Sequence, residues 1–174
     1  MKQRIFAAAA LASLGLAGPL SGPLLAQDYK ATRLVKTIDG EALAAIAEGL
    51  GHTVETKRTE GTQRVVAVTA DSLKYVMSGT ACNEDTTACK GILMQVVYSD
   101  ASAVTDADII RANNERVAVT AWVDRDDDQY GFSRYLILDE GMTMGNIRRS
   151  IEVLLAVQEY SAKVARGEDE KTQN

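Results

Sequence analysis

Few side chains in this sequence could perform chemistry, because its 174 residues include two cysteines and one histidine. Cys82 and Cys89 are separated by six residues, NEDTTA, and each lies at the end of a predicted strand. Two antiparallel strands would bring their Cα atoms within the ~4.4–6.8 Å that a disulfide accepts. The pair is therefore predicted to form a structural disulfide. A redox-active thiol pair and a metal site are the alternatives, although the C-x-x-C spacing of redox pairs and a full tetrahedral ligand set are both absent.

His52 is the only histidine, so any serine or cysteine hydrolase built on this chain would need it as the general base. No Gly-x-Ser-x-Gly sequence, which positions the nucleophile in one large class of hydrolases, accompanies it. We expect a surface or helix-capping histidine and predict no catalytic residue. A small periplasmic enzyme that uses His52 is kept as an alternative hypothesis.

The acidic run Asp124-Arg125-Asp126-Asp127-Asp128 resembles the start of a calcium-binding loop. Gln129 stands where that loop requires glycine, and Tyr135 stands where it requires a bidentate glutamate. The run is therefore predicted to be a solvated hairpin turn, with weak cation binding at Asp124–Asp128 as the alternative. Gly-rich phosphate-binding motifs are absent, and neither a metal nor a cofactor is predicted.

Apolar periodicity indicates the elements that hold these residues. A first helix is ended by Gly51 and can be capped by Asp39 or Thr37. Its apolar residues at helical spacing are Leu43, Ile46, Ala47 and Leu50. Runs of β-forming residues then predict strands at His52–Lys57, Gln63–Thr69, Leu73–Ser78 and Ile92–Tyr98. The last of these is apolar on both faces, which is typical of a strand in the middle of a sheet.

In the second half of the chain, the capping pattern at Thr105 predicts a helix that reaches about Glu115. Two strands, Val117–Val123 and Phe132–Leu138, follow on either side of the acidic turn. Thr143 can cap a long final helix that extends to about Arg166. We describe the predicted fold as an α+β domain with a mostly antiparallel sheet and the order α-β-β-β-α-β-β-α.

The final helix carries an apolar arc wider than one sheet requires. One flank, Ile147, Ile151, Leu154 and Leu155, is expected to pack on the sheet. The other flank is the predicted partner surface, because exposed apolar patches usually mark interaction sites. It consists of Val153, Val157, Tyr160 and Val164. The expected occupant is a partner polypeptide or a second copy of the chain.

The N-terminal segment has the pattern of a secretory signal peptide. Lys2 and Arg4 precede the apolar run Ile5–Ala17, and two Gly-Pro breaks lead to a small-residue site at Ala26. The predicted organisation is a signal peptide over residues 1–26, one domain over 27–166 and a disordered charged tail over 167–174. The mature protein is expected to be periplasmic or secreted and not bound to a membrane. The whole chain is acidic, with a net charge of -5, and an acidic surface repels phosphate backbones. Nucleic-acid binding is therefore not expected.

The order of features from Gly61 through Leu155 resembles the YbjN-domain family, a bacterial family linked to sensory-transduction regulation. The matching segments are the strand that reaches Cys82, the apolar strand GILMQVVYS after Cys89, the helix start at Val104–Asp106, Asn113 with Glu115, Ala121-Trp122-Val123-Asp124, and Leu136–Leu138. The resemblance implies a fold similar to that of type III secretion chaperones. It also implies a non-enzymatic binding or regulatory module, without a known ligand and without catalytic residues.

Overall fold

A computed structural model describes residues 29–168. The predicted signal peptide, residues 1–26, and residues 169–174 of the predicted tail lie outside this range. The described chain forms three α-helices, a short 3-10 helix at Ala101–Ala103, one six-stranded sheet and one two-stranded sheet. The elements are β1 (Leu34–Val35), α1 (Gly40–Gly49), β2 (Thr53–Arg58), β3 (Arg64–Val68), β4 (Lys74–Cys82), β5 (Cys89–Ser99), α2 (Asp106–Glu115), β6 (Thr120–Asp124), β7 (Gln129–Ile137), β8 (Met142–Thr143) and α3 (Met144–Ala165).

The large sheet is antiparallel throughout and has the strand order β2-β3-β4-β5-β7-β6, while β1 pairs with β8. This arrangement confirms the predicted α+β fold class. The predicted order contained three strands between the first two helices, and the structure has four. The four runs of β-forming residues predicted before the second helix correspond to these four strands, so the error lies in the written order, which counts one strand too few.

Local signals explain where α1 begins and ends. The Asp39 side chain accepts a hydrogen bond from the backbone N–H of Ala42, which satisfies one of the free donors of the first helical turn. Gly51, just beyond the helix, has a φ of 77°, a conformation that glycine adopts without steric cost. The apolar face of α1 is buried against β2, β3 and β4.

The three helices cover one face of the large sheet. α1 packs on β2, β3 and β4, α3 packs on β5 and β7, and α2 packs on β6 and on α3. Alternate residues of the central strand β5, Ile92, Met94 and Val96, are fully buried beneath them. The predicted central position of this strand is correct, because it lies between β4 and β7. No helix within residues 29–168 has both the length and the apolar character needed to span a bilayer.

Candidate interaction surface

Most of the predicted partner surface on α3 is covered by other residues of the same protomer. Val164 is fully buried, which corrects its assignment to an exposed flank, and Val153 and Val157 are half-buried. The cause is α2, which crosses the C-terminal part of α3, where Arg111 donates a hydrogen bond to the carbonyl oxygen of Val164. The sequence pattern of α3 alone does not reveal this packing.

Tyr160 is 38% exposed, yet its ring already has a partner from the segment after α2. The guanidinium of Arg116 lies 4.0 Å from the ring centroid, and the Tyr160 hydroxyl donates to the Glu115 carboxylate at 3.3 Å. Cation–π contacts of this kind stabilise an exposed ring by about 0.5–1 kcal/mol. The outer side of α3 is therefore a weak candidate for a docking surface.

The face of the large sheet opposite the helices is the stronger candidate, and we call it the open face. No described helix covers it, and its side chains are half-buried or exposed. Val97 is 38% exposed, Tyr135 51% and Ile137 69%. On the evidence of strand register and alternation, its members are Thr56, Arg58, Arg64, Val66, Val68, Lys74, Val76, Ser78, Thr80, Gly91, Leu93, Gln95, Val97, Ser99, Thr120, Trp122, Asp124, Gln129, Gly131, Ser133, Tyr135 and Ile137.

The centre of the open face carries no charge. On β5 the open-face side chains between Gly91 and Ser99 are Leu93, Gln95 and Val97, and β7 contributes only glycine, serine, glutamine, tyrosine and isoleucine. Antiparallel sheets that face solvent normally alternate apolar residues with polar and charged ones. An uncovered face on which two adjacent inner strands, β5 and β7, carry only neutral side chains has instead the chemistry of an interface core, which is depleted in charge and enriched in aromatic residues.

Two glycines let aromatic rings lie flat on this face. A Cβ on Gly131 would approach within 2.6 Å of Cζ2 of Trp122, and a Cβ on Gly91 would approach within 2.2 Å of the Tyr135 hydroxyl. The Tyr135 ring is held there by a hydrogen bond from the Thr80 hydroxyl at 3.0 Å. The indole N–H of Trp122 has no hydrogen-bond partner among the described residues. These contacts preorganise two large aromatic side chains of the type enriched at binding hot spots.

Opposite charges lie at the two ends of the open face. Arg58 and Arg64 are directly paired across β2 and β3, and with Thr56 and Val66 they line a hollow of about 250 Å³. Asp124 lies at the end of β6, the strand at the other edge of the sheet.

His52 lies on the helix side of the molecule, in a cleft of about 520 Å³ between the end of α1, the β3–β4 turn and α3. Its Nδ1 is 2.9 Å from the Tyr75 hydroxyl. Partial burial and, to a lesser extent, the nearby Arg148 charge lower the pKa of His52. Burial also raises the pKa of Tyr75, so the phenol stays protonated at neutral pH. His52 therefore contacts a phenol that is not activated as a nucleophile, and no hydrogen bond or ion pair joins it to a carboxylate in residues 29–168.

The acidic turn adopts the predicted hairpin between β6 and β7. The Asp124 carboxylate accepts backbone hydrogen bonds from Asp126 and Asp127, and Arg125 bonds the Asp106 carboxylate at 2.7 Å. Within residues 29–168, no three His, Cys, Asp or Glu side chains converge to hold a metal ion. The turn is stabilised by its own backbone and by an arginine.

Cys82 and Cys89 are directly opposite each other on β4 and β5, with their sulfur atoms 2.09 Å apart. Cys89 is fully buried, and its backbone N–H and C=O both bond to Ile38 at 2.9 Å. The pair therefore joins β4 to β5 beside Ile38, in the segment that leads into α1.

A family comparison covers most of the described chain. Residues 39–160 match the YbjN model, whose description is "Putative bacterial sensory transduction regulator". This chain belongs to the YbjN family. The membership confirms the resemblance inferred from the sequence, and the matched range begins at the cap of α1 and ends within α3. No curated protein matches the chain at a significant level.

Solved structures show the same fold in and around the YbjN family. The crystal structure of YbjN from E. coli has a TM-score of 0.57 and 14% identity, and the match covers 80% of this chain and 96% of that one. A chain of the ExsC–ExsE complex has a TM-score of 0.53 and 11% identity, and covers 74% and 97%. A protein from Methanothermobacter thermautotrophicus has a TM-score of 0.54 and 11% identity, and covers 75% and 98%.

Sequence reasoning did not identify the open face. The sequence pattern places Trp122, Tyr135 and Val97 in strands without indicating a role for them, and the apolar character of β5 predicts only its central position in the sheet. The signal was present as the absence of charge at alternating positions of β5 and β7. It becomes visible once the strands are known to be neighbours.

Proposed function

We propose that the protein is an exported, non-enzymatic module that binds a partner polypeptide through the open face. The observation that carries the proposal is the uncovered, uncharged centre of the sheet, formed by Leu93, Val97, Trp122 and Tyr135. A soluble protein rarely leaves a contiguous apolar patch uncovered unless it marks an interaction site. Burial of these side chains by another chain would supply the hydrophobic part of the binding free energy.

Relatives support a binding role over catalysis. The YbjN family is described as regulatory, and a chain of similar fold occurs in the ExsC–ExsE complex. The alternative enzyme hypothesis loses support from the environment of His52, because its hydrogen-bonding partner is a protonated phenol. Weak cation binding at Asp124–Asp128 likewise lacks a converging set of ligands within the described chain.

Export is the part of the proposal that rests on sequence. The charged start, apolar run and small-residue site of residues 1–26 support a cleaved signal peptide. The cysteine pair supports the same compartment, because disulfides persist in oxidising spaces and are rare in the cytosol.

Site-specific photocrosslinking in cells tests the binding surface. The photoreactive residue p-benzoylphenylalanine replaces Tyr135 in the centre of the open face or Val117, which is 90% exposed between α2 and β6. We expect adducts with another polypeptide from position 135 and none from position 117, as identified by mass spectrometry. Equal adducts from both positions, or none from position 135, would contradict the proposed surface.

A further inference from the structure

We propose that the open face also binds a second copy of this chain. Two protomers then pack face to face, with Arg58 and Arg64 of each protomer opposite Asp124 of the other. The inference rests on the proposed function, since it names one polypeptide that the same surface accepts. The second copy would occupy the face whenever another partner is absent and would compete with that partner.

The first observation is an uncompensated pair of like charges. Arg58 and Arg64 are direct cross-strand neighbours on the open face, and like charges in that position destabilise a sheet. Neither guanidinium has an ion pair or hydrogen bond within residues 29–168. Other exposed cations of the sheet do: Lys57 pairs with Glu41 at 2.6 Å and Lys74 with Glu55 at 2.7 Å. We call Arg58 and Arg64 the arginine corner of the open face. This corner lacks an anion, and the hollow beside it has room for one.

The second observation is that the chain itself carries a matching group of acids. Asp124 lies on the open face at the end of β6, where its carboxylate accepts hydrogen bonds from the backbone N–H groups of Asp126 and Asp127 in the adjoining turn. Their carboxylates form no ion pair within the described chain. The acidic turn thus supplies the anion that the arginine corner requires, on a surface of the same protein.

Strand register shows that the two groups are diagonal to each other. Arg58 is the last residue of β2 and Arg64 the first of β3, and Arg64 is level, through Ser78, with Leu93, just before the midpoint of β5. Asp124 is level with Gln129 and Ser99, at the end of β5. The arginines lie at the β2–β3 side of the sheet and the aspartates at the β6 side.

Diagonal opposite charges are self-complementary under two-fold symmetry. A two-fold axis in the plane of the interface, along the other diagonal of the face, sets the arginine corner of each protomer over the acidic corner of its partner. The same contact is made twice, as an isologous interface requires. Between the corners, the neutral side chains of β5 and β7 meet without opposing like charges, although the full chain is acidic, with a net charge of -5.

Sedimentation velocity of the purified protein tests this arrangement. We expect a dimer at micromolar concentration and low ionic strength that dissociates as salt is raised, because salt screens the exposed charges.

Val97→Arg, in the centre of the face, should give a monomer, and Arg64→Glu should raise the dimer dissociation constant by about tenfold or more. Combining Arg64→Glu with Asp124→Arg should restore the dimer. The matched controls Val117→Arg and Lys36→Glu lie outside the face and should leave it unchanged.

Intrinsic fluorescence provides a second readout that does not depend on a variant. Trp122 is the only tryptophan and lies on the open face, so dilution of the wild-type protein should shift its emission to longer wavelength as the dimer dissociates. A wild-type monomer at the highest soluble concentration would overturn the inference, as would a dimer that Val97→Arg and Arg64→Glu both leave intact while circular dichroism shows them folded.

The two proposals fail in different ways. A monomeric wild type that still forms adducts with other polypeptides from position 135 would overturn the dimer and retain the proposed function. A dimer that forms adducts only with itself would support the inference and contradict binding of a different partner.

Discussion

The side-chain amide of Asn113 bonds both backbone polar groups of Ala121. The N–H of Ala121 donates to Oδ1 at 2.8 Å, and Nδ2 donates to the carbonyl oxygen at 3.0 Å. A residue of α2 thus occupies the position that a neighbouring strand would take beside β6. Asn113 belongs to the segments by which the chain resembles the YbjN family, and this contact gives it a structural role.

Replacement of Asn113 should destabilise the protein measurably. Asn113→Ala leaves the two backbone groups of Ala121 without their partner, and such losses cost about 1–3 kcal/mol. Urea denaturation followed by circular dichroism measures the change in the free energy of unfolding. The neighbouring exposed residue provides the control, Asn114→Ala, which should change stability little. Equal stabilities of the two variants would contradict the role assigned to Asn113.

Gln63 should be a second polar residue that the fold needs. It is 1% exposed, its Oε1 accepts from the backbone N–H of Gly40 at 2.6 Å, and its Nε2 donates to the carbonyl oxygen of Thr59 at 2.8 Å. Gln63→Ala removes both bonds and leaves the first N–H of α1 without a partner. We expect a loss of about 1–3 kcal/mol in urea denaturation. Glu60→Ala, at an exposed position in the same turn, should cost much less.

The single histidine makes one pH-dependent contribution easy to isolate. Because the pKa of His52 is lowered in the folded state, the unfolded chain binds a proton first as the pH falls below about 6.5. This contribution therefore reduces stability as pH falls from 6.5 through the lower folded pKa, and has no effect above 6.5. A His52→Gln variant should lose this component of the pH dependence.

Proton NMR of the imidazole measures that pKa directly. We expect one titrating histidine signal with a midpoint below 6.5 in the folded protein. Arg148→Gln should raise the midpoint, since it removes a nearby positive charge, but burial, the larger cause, should still hold it below 6.5. Arg149→Gln provides the matched control, because Arg149 pairs with the same Glu152 as Arg148 but is not among the causes of the lowered pKa of His52. A midpoint at or above 6.5 in the wild type would contradict the partial burial of His52.

The cysteine pair should be oxidised in protein recovered from the periplasm. Intact mass after alkylation with and without prior reduction counts the free thiols, and the same spectrum tests whether the chain begins at Gln27. Cys82→Ser should lower the free energy of unfolding by about 1–3 kcal/mol and leave the fold intact, because the closed loop is short. Two alkylated thiols without reduction would contradict the disulfide.

Local sequence signals predicted most of the elements. Asp39 and Gly51 mark the ends of α1, and the strands near the cysteines lie where the β-forming runs predicted them. These signals act within a few residues, so they are readable without knowledge of the fold. The exceptions are β1 and β8, because a strand of two residues is too short to show an apolar period.

Which apolar residues are exposed depends on contacts between elements that are distant in the sequence. Val164 has the pattern of an exposed residue on α3 and is buried because α2 lies against it. Val97 has the pattern of a core residue and is exposed because all three helices pack on the opposite face. Periodicity states which residues share a face, and only the tertiary arrangement determines which face is covered.

The contact between Asn113 and Ala121 also limits how this protein can polymerise. Growth of a fibre by strand addition requires a free backbone edge at both sides of each subunit, because every subunit must receive one neighbour and offer an edge to the next. The β6 edge is occupied at Ala121 by a side chain of α2, which leaves β2 as the accessible edge of the large sheet. Two copies joined through β2 would present, for the large sheet of residues 29–168, only their two β6 edges, where Asn113 already bonds the backbone of Ala121, so this sheet would extend to a pair and not into a filament.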